Sequence, residues 1–206
     1  KDDAGGTDRG AVHIIFMNTD GSVDSTVEIN DSTTNGPELG DEDRFGDSVA
    51  NIGDLDGDGV NDLAVGATND DTKSDGTDGG RNWNAGAVHI IFMNTDGSVD
   101  STVEINDSTT NGPTLSEADA FGHGVASIGD FDGNGVNDIV VGAMLDDGIG
   151  SNRGAVHIIF MDENTNSTVT ITESVSLTDL ISKAAGVNIS DTVSLTDSIV
   201  KAAAVI

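Results

Sequence analysis

The chain has 206 residues, 37 of them acidic and 8 basic, and a formal net charge of −29. That charge repels nucleic acid and anionic membranes, and the absence of Cys excludes disulfides, thiolate metal sites and a Cys nucleophile. No apolar run approaches the roughly 18 residues of a membrane span. No secretory leader is visible at Lys1, whose neighbours Asp2 and Asp3 are acidic, so the expectation is a processed chain or an inner piece of a longer one. High charge and few aromatics point towards disorder, but 35% of residues are apolar. They cluster in short β-rich runs, with the charge between them.

A repeat organises the chain. Residues 10–37, GAVHIIFMNTDGSVDSTVEINDSTTNGP, recur unchanged at 86–113, and a third copy, GAVHIIFM, opens at 154–161. Between them FGDSVANIGDLDGDGVNDLAVGA (45–67) is matched by FGHGVASIGDFDGNGVNDIVVGA (121–143). In chain order, residues 10–29 predict a hairpin without an inner pair. Strands are then predicted at 48–52, 63–65, 88–93 and 102–105, with Gly, Asn and Asp at their ends. Asp96-Gly97 is a hairpin turn signal. A second unit runs from 121 to a last strand at 168–171. No segment from 10 to 171 has a sustained 3.6-residue period.

Four short strands per unit is the sequence form of a propeller blade. The expected fold is all-β, about two and a half four-stranded blades: a half blade and linker at 1–44, blades at 45–120 and 121–172, and a tail at 173–206. The tail repeats with a period of 18, SVSLTDLISKAAGVNIS then TVSLTDSIVKAAAVI. Its VSL segments alternate like strands, and the stretch after Thr178 reads either as strand or as a short helix capped by Thr178 and Gly186.

The chemistry lies in Asp54-Leu-Asp56-Gly-Asp58-Gly-Val60-Asn-Asp62 and its copy Asp130-Phe-Asp132-Gly-Asn134-Gly-Val136-Asn-Asp138. Ca²⁺ takes six to eight oxygens. Positions 1, 3 and 5 of a tight loop supply side-chain oxygens, Gly at 4 and 6 permits the turn, position 7 offers the Val60 or Val136 carbonyl, and Asp62 or Asp138 closes the shell. Carboxylates packed this closely repel one another without a cation. An EF-hand loop opens in the same way but needs Glu at position 12. Here Val65 and Val141 stand there, inside apolar runs. Two Ca²⁺ sites are expected, the second weaker because Asn134 replaces a carboxylate. The remaining acidity reads as a solvating surface for saline conditions.

Phe45-Gly46, the Asp loop and Gly66-Ala67, repeated as Phe121-Gly122, its loop and Gly142-Ala143, resemble the FG-GAP repeat of integrin α-subunit propellers and of related bacterial and archaeal surface proteins. The resemblance covers residues 10–171 and implies a Ca²⁺-binding loop between the first two strands of each blade. The Pro of the signature is Thr68 in one copy and Met144 in the other.

His13, His89 and His157 recur at one place in VHIIF, on the strand face opposite Val12, Ile14 and Phe16. Repetition assigns them a structural role. His123 is expected in a loop. No nucleophile elbow, zinc-protease helix motif or phosphate loop is present, so no enzyme is expected. Trp83, the single Trp, reads as a packing plug or a contact residue. Asn30, Asn106, Asn166 and Asn188 open N-x-[ST] sequons, candidate glycan positions on an exported chain.

Together these features predict a non-catalytic extracellular or cell-surface protein. Its Ca²⁺-stabilised blades would assemble head to tail into a polymer, the tail of one copy adding strands to the half blade of the next. The alternatives are an adhesion segment of a longer propeller, binding a protein or glycan, and an accessory domain of an exported enzyme.

Overall fold

A computed structural model describes residues 6–70, 84–146 and 153–162. Every regular element among them is a strand: β1 (Val12–Met17), β2 (Val23–Ile29), β3 (Phe45–Gly53), β4 (Asp62–Ala67), β5 (Ala87–Met93), β6 (Val99–Ile105), β7 (Phe121–Gly129), β8 (Asp138–Ala143) and β9 (Ala155–Ile159). They pair as consecutive antiparallel neighbours into three sheets: a hairpin β1-β2, a meander β3-β4-β5-β6, and β7-β8-β9. The fold is all-β, with propeller-type blades. The four strands expected between 48 and 105 fall within β3 to β6. The strand at 168–171, the tail, Trp83, Asn166 and Asn188 lie outside the described residues. His123 is not in a loop: it sits exposed inside β7, at the irregularity between Phe121 and Gly124 where the β7–β8 register shifts. A bulge there spares a polar residue from the alternation that buries its neighbours.

Local chemistry sets the hairpins. In β1-β2, Asn18 N–H donates to Ser22 O (2.8 Å) and Gly21 N–H to Asn18 O (3.0 Å). Asp20 accepts the Ser22 N–H and hydroxyl (2.9 and 2.6 Å). The identical residues of β5-β6 repeat this arrangement around Asp96, with the same two distances to Ser98.

The strands alternate, so every sheet has two faces, and the sheets stack face to face. Val12 and Ile29 of the hairpin, with Ile14, pack on Val65, Ile91, Met93 and Val99 of the second sheet. The opposite face of that sheet, with Ile52, Val88, Ile90 and Ile105, packs on Phe121, Ile139, Val141 and Ala143 of the third. Parallel bridges Gly10↔Phe45 and Gly86↔Phe121 fasten each stack at equivalent points. Phe45 and Phe121, both buried, meet His89 and His157 edge-on, with ring centroids 5.5 and 5.4 Å apart.

Candidate metal centres in the β3–β4 and β7–β8 loops

Each loop joins the two inner strands of a blade, and its last acidic residue is the first residue of the following strand. Gly57 and Gly59 (φ +81° and +91°) and their counterparts Gly133 and Gly135 (φ +84° and +96°) take the left-handed backbone that the tight turn demands. Asp54 accepts the amides of Gly57 (2.8 Å) and Gly59 (2.9 Å). Asp130 accepts those of Gly133 (2.7 Å) and Gly135 (3.0 Å). The loops are therefore folded around the carboxylate at position 1.

Carboxylate oxygens of Asp54, Asp56 and Asp62 lie within 4.8 Å of one another, as do those of Asp130, Asp132 and Asp138. The first two members of each trio are exposed. Asp62 and Asp138 are fully buried. Asp62 accepts the Leu55 amide (2.7 Å) and, across to β5, the Met93 amide (3.0 Å). Asp138 accepts the Phe131 (2.8 Å) and Met161 (2.9 Å) amides in the same way. A single carboxylate thus ties the first loop to β5, the third strand of its sheet, and the second loop to Met161, two residues beyond the end of β9.

Position 5 differs between the copies. Asp58 stands outside the first trio, with Oδ1 accepting the Val60 amide at 2.7 Å. Asn134 accepts the Val136 amide at 2.7 Å and donates through its side-chain nitrogen to Met161 O at 2.6 Å. The Val60 and Val136 amides are thus engaged by position 5 of their own loops.

Burial pushes the Asp62 carboxyl above the usual carboxylate range. The Leu55 and Met93 amides pull it back, and the negative charges of Asp56 and Asp58 raise it again. A buried carboxylate held among other carboxylates is short of positive charge. Hard oxygens at this spacing fit a divalent cation such as Ca²⁺. The flanks are strands, and Val65 and Val141 at position 12 are buried in β4 and β8, so the loops are not EF-hands.

Two contacts were not anticipated from the sequence. Asn137, at position 8 of the second loop, donates to the Ile52 carbonyl of the preceding sheet at 2.9 Å, two residues before Asp54. Its counterpart Asn61 occupies the same position in the first loop, and that duplication was the available signal. Buried Asp70 pairs with buried His89, whose Nε2 lies 3.1 Å from Asp70 Oδ2. The copy, His157 and Asp146, is looser at 3.5 Å. These histidines meet Phe and Asp rather than the metal loops. The sequon residues Asn30 and Asn106 are buried at strand ends. Asn30 donates to Glu28 (2.6 Å) and accepts the Ser32 amide (2.8 Å). Asn106 bonds Glu104 and Ser108 in the same pattern, so the side-chain nitrogen that a glycan would occupy is engaged in both.

Residues 121–159 match the family profile of the FG-GAP repeat. The chain is similar to integrin alpha-PS5 of Drosophila melanogaster (36% identical over 100 residues, 48% of this chain and 9% of that protein). It is also similar to integrin alpha-4 of Xenopus laevis (32% over 104 residues, 50% and 9%) and integrin alpha pat-2 of Caenorhabditis briggsae (40% over 100 residues, 48% and 7%). The matched stretch spans less than a tenth of the length of each of these relatives. The matched repeat, the all-β blades and the duplicated acidic loops lead to one conclusion: the chain carries an FG-GAP repeat at residues 121–159.

Proposed function

We propose that the chain is a non-catalytic recognition segment of the cell surface or extracellular space, whose blades are held rigid by Ca²⁺ in the two Asp loops. The observation that carries this reading is the pair of carboxylate trios, each anchored by a buried Asp to the backbone of its own blade. With a cation bound, the loop, the inner strands and the third strand become one unit. Ligands on this reading are proteins or glycans met by the loops between strands. Ten metal-loop positions take part: Asp54, Asp56, Asp58, Val60 and Asp62 in the first loop, and Asp130, Asp132, Asn134, Val136 and Asp138 in the second.

The test is a titration of Ca²⁺ followed by thermal melting, run alongside attachment of chain-coated beads to arrays of extracellular proteins and glycans. Ca²⁺ should raise the melting temperature, and attachment should vanish with chelator and in the Asp56→Asn/Asp132→Asn double variant. A melting temperature indifferent to Ca²⁺ would overturn the metal reading. Attachment that ignores both chelator and variant would overturn the recognition reading.

A further inference from the structure

We propose that the two acidic loops are coupled: filling the β7–β8 loop raises the affinity of the β3–β4 loop, and Asn137 is the positioning residue that links them. The inference deepens the Ca²⁺ reading of the loops and rests on it.

The link is a contact between two sheets. Asn137 is position 8 of the second loop, between Val136 and Asp138, which are both candidate ligand positions. Its side-chain nitrogen donates to the Ile52 carbonyl at 2.9 Å, across 85 residues of sequence. The next residue, Gly53, comes equally near: a Cβ built on it would lie 2.6 Å from Asn137 Nδ2. Gly53 also takes a left-handed φ of +83°, so a side chain at this position would be both strained and in the way. Asn137 therefore rests on the Ile52-Gly53 backbone.

That stretch of backbone is where the first loop opens and closes. Asp54, at position 1, follows Gly53 directly, and Gly53 is the register partner of Asp62, at position 9. Asp54 gathers the Gly57 and Gly59 amides, and Asp62 gathers those of Leu55 and Met93. Both belong to the first carboxylate trio. Ile52 itself is buried between the sheets. Asn137 thus braces the point from which two of the three carboxylates of the first trio are set.

The sign of the coupling follows from entropy. A hydrogen bond between two loops costs each of them some freedom. With the second loop filled through the positions on either side of Asn137, its share of that cost has already been met. The bond to Ile52 then forms more readily, and the first loop is held nearer its binding shape, which is preorganisation. Repulsion between two bound cations acts in the opposite sense, and salt screens it. The size expected is that of one hydrogen bond, about fivefold in affinity. Linkage makes the effect reciprocal, so filling the first loop must raise the affinity of the second by the same factor.

The experiment is a Ca²⁺ titration of the full chain at roughly 0.15 M salt, followed by amide NMR. Gly57 and Gly59 report on the first loop, and Gly133 and Gly135 on the second. Asp130→Asn/Asp132→Asn, which disables the second loop, should raise the dissociation constant of the first about fivefold. Asp54→Asn/Asp56→Asn should raise that of the second by an equal factor. Repeated in an Asn137→Ala background, neither disabling change should alter the affinity of the other loop. The charge removed is the same in both backgrounds, so the cycle isolates the contact. Asn61→Ala, the same change at the exposed counterpart in the first loop, should preserve the coupling. Loops that titrate independently in the parent would overturn the proposal and leave the metal reading intact. Coupling that survives Asn137→Ala, or that Asn61→Ala also abolishes, would overturn it too. Amides that ignore Ca²⁺ in both loops would defeat the metal reading and the coupling together. The first comparison keeps Asn137 in place, so it decides the matter even if Asn137→Ala fails to fold.

Discussion

Gly66 lies so close to Gly122 of the next sheet that a Cβ on Gly66 would sit 1.9 Å from the Gly122 carbonyl oxygen. That oxygen also accepts the Ser48 hydroxyl at 2.7 Å. The Gly of one GA pair and the Gly of the following FG pair thus form one of the points where consecutive blades touch backbone to backbone, beside the Gly86↔Phe121 bridge.

Gly66→Ala should therefore destabilise the chain by about 1–3 kcal/mol, the usual cost of overpacking, because the nearest atom, Gly122 O, is main chain and cannot swing aside as the Ser48 hydroxyl could. Gly142 is the same residue one repeat later, yet its nearest atom, Gly124 O, is 3.8 Å from a built Cβ. Gly142→Ala should shift stability by no more than about 0.5 kcal/mol. Urea unfolding of the two variants checks the contrast, and equal losses would remove the role assigned to the Gly66–Gly122 contact.

The loops make a second prediction. Site one has Asp at position 5 and site two has Asn134. Affinity for Ca²⁺ follows the number of charged ligands, so the first site should bind more tightly. Asp58→Asn should weaken it and Asn134→Asp should strengthen the second, each by roughly threefold to tenfold, where tenfold is about 1.4 kcal/mol. Calorimetric titration of the two variants reads both sites. Ca²⁺ at 100 times its dissociation constant should add about 2.7 kcal/mol per site to stability, and chelator should remove it.

Glu104 gives the pH dependence. Burial raises its carboxyl above the ordinary glutamate range and the charge of Asp70 raises it further, while the Asn106 amide and His89 pull it down. The folded state therefore holds this proton more tightly than the unfolded chain does. Between the ordinary value, about 4.3, and the raised one, the folded state carries more protons, so stability falls as pH rises through that window and levels off above it. Glu104→Gln should abolish this part of the slope and stabilise the chain at neutral pH. Denaturant midpoints of parent and variant from about pH 4 upward provide the check; parallel profiles would remove Glu104 as the cause.

The repeat, the strands and both acidic loops were legible because each depends on local pattern: alternation in VHIIF, Asp-Gly at turns, and oxygen donors at alternate loop positions. The division of β1 into a Val12–Ile14 face and an Ile15–Met17 face was legible for the same reason, since side chains alternate along a strand. Which face meets which neighbour was not. The contacts that decide it, Ser48 with Gly122 and Asn137 with Ile52, join segments 74 and 85 residues apart, and no local pattern encodes that distance. His123 was misplaced because a bulge interrupts β7 without changing its composition. The burial of Asn30 and Asn106 was hidden for a related reason: a sequon describes three consecutive residues, while their burial comes from packing around a strand end.

His89 offers the sharpest check on the structural role of the repeated histidines. The pair with Asp70 is buried on both sides, and Phe45 packs edge-on against the imidazole. Removing one partner strands a polar atom in a dry site, at a cost of about 1–3 kcal/mol, whereas replacing both by apolar groups of similar shape is close to neutral. Asp70→Leu alone and His89→Leu alone should each lower the urea midpoint, and the double variant should recover most of the loss. Ca²⁺ affinity should be unchanged in all three, because neither residue belongs to a carboxylate trio. A double variant as unstable as the sum of the singles would show that the ring and the carboxylate act independently. A drop in Ca²⁺ affinity would tie them to the loops instead.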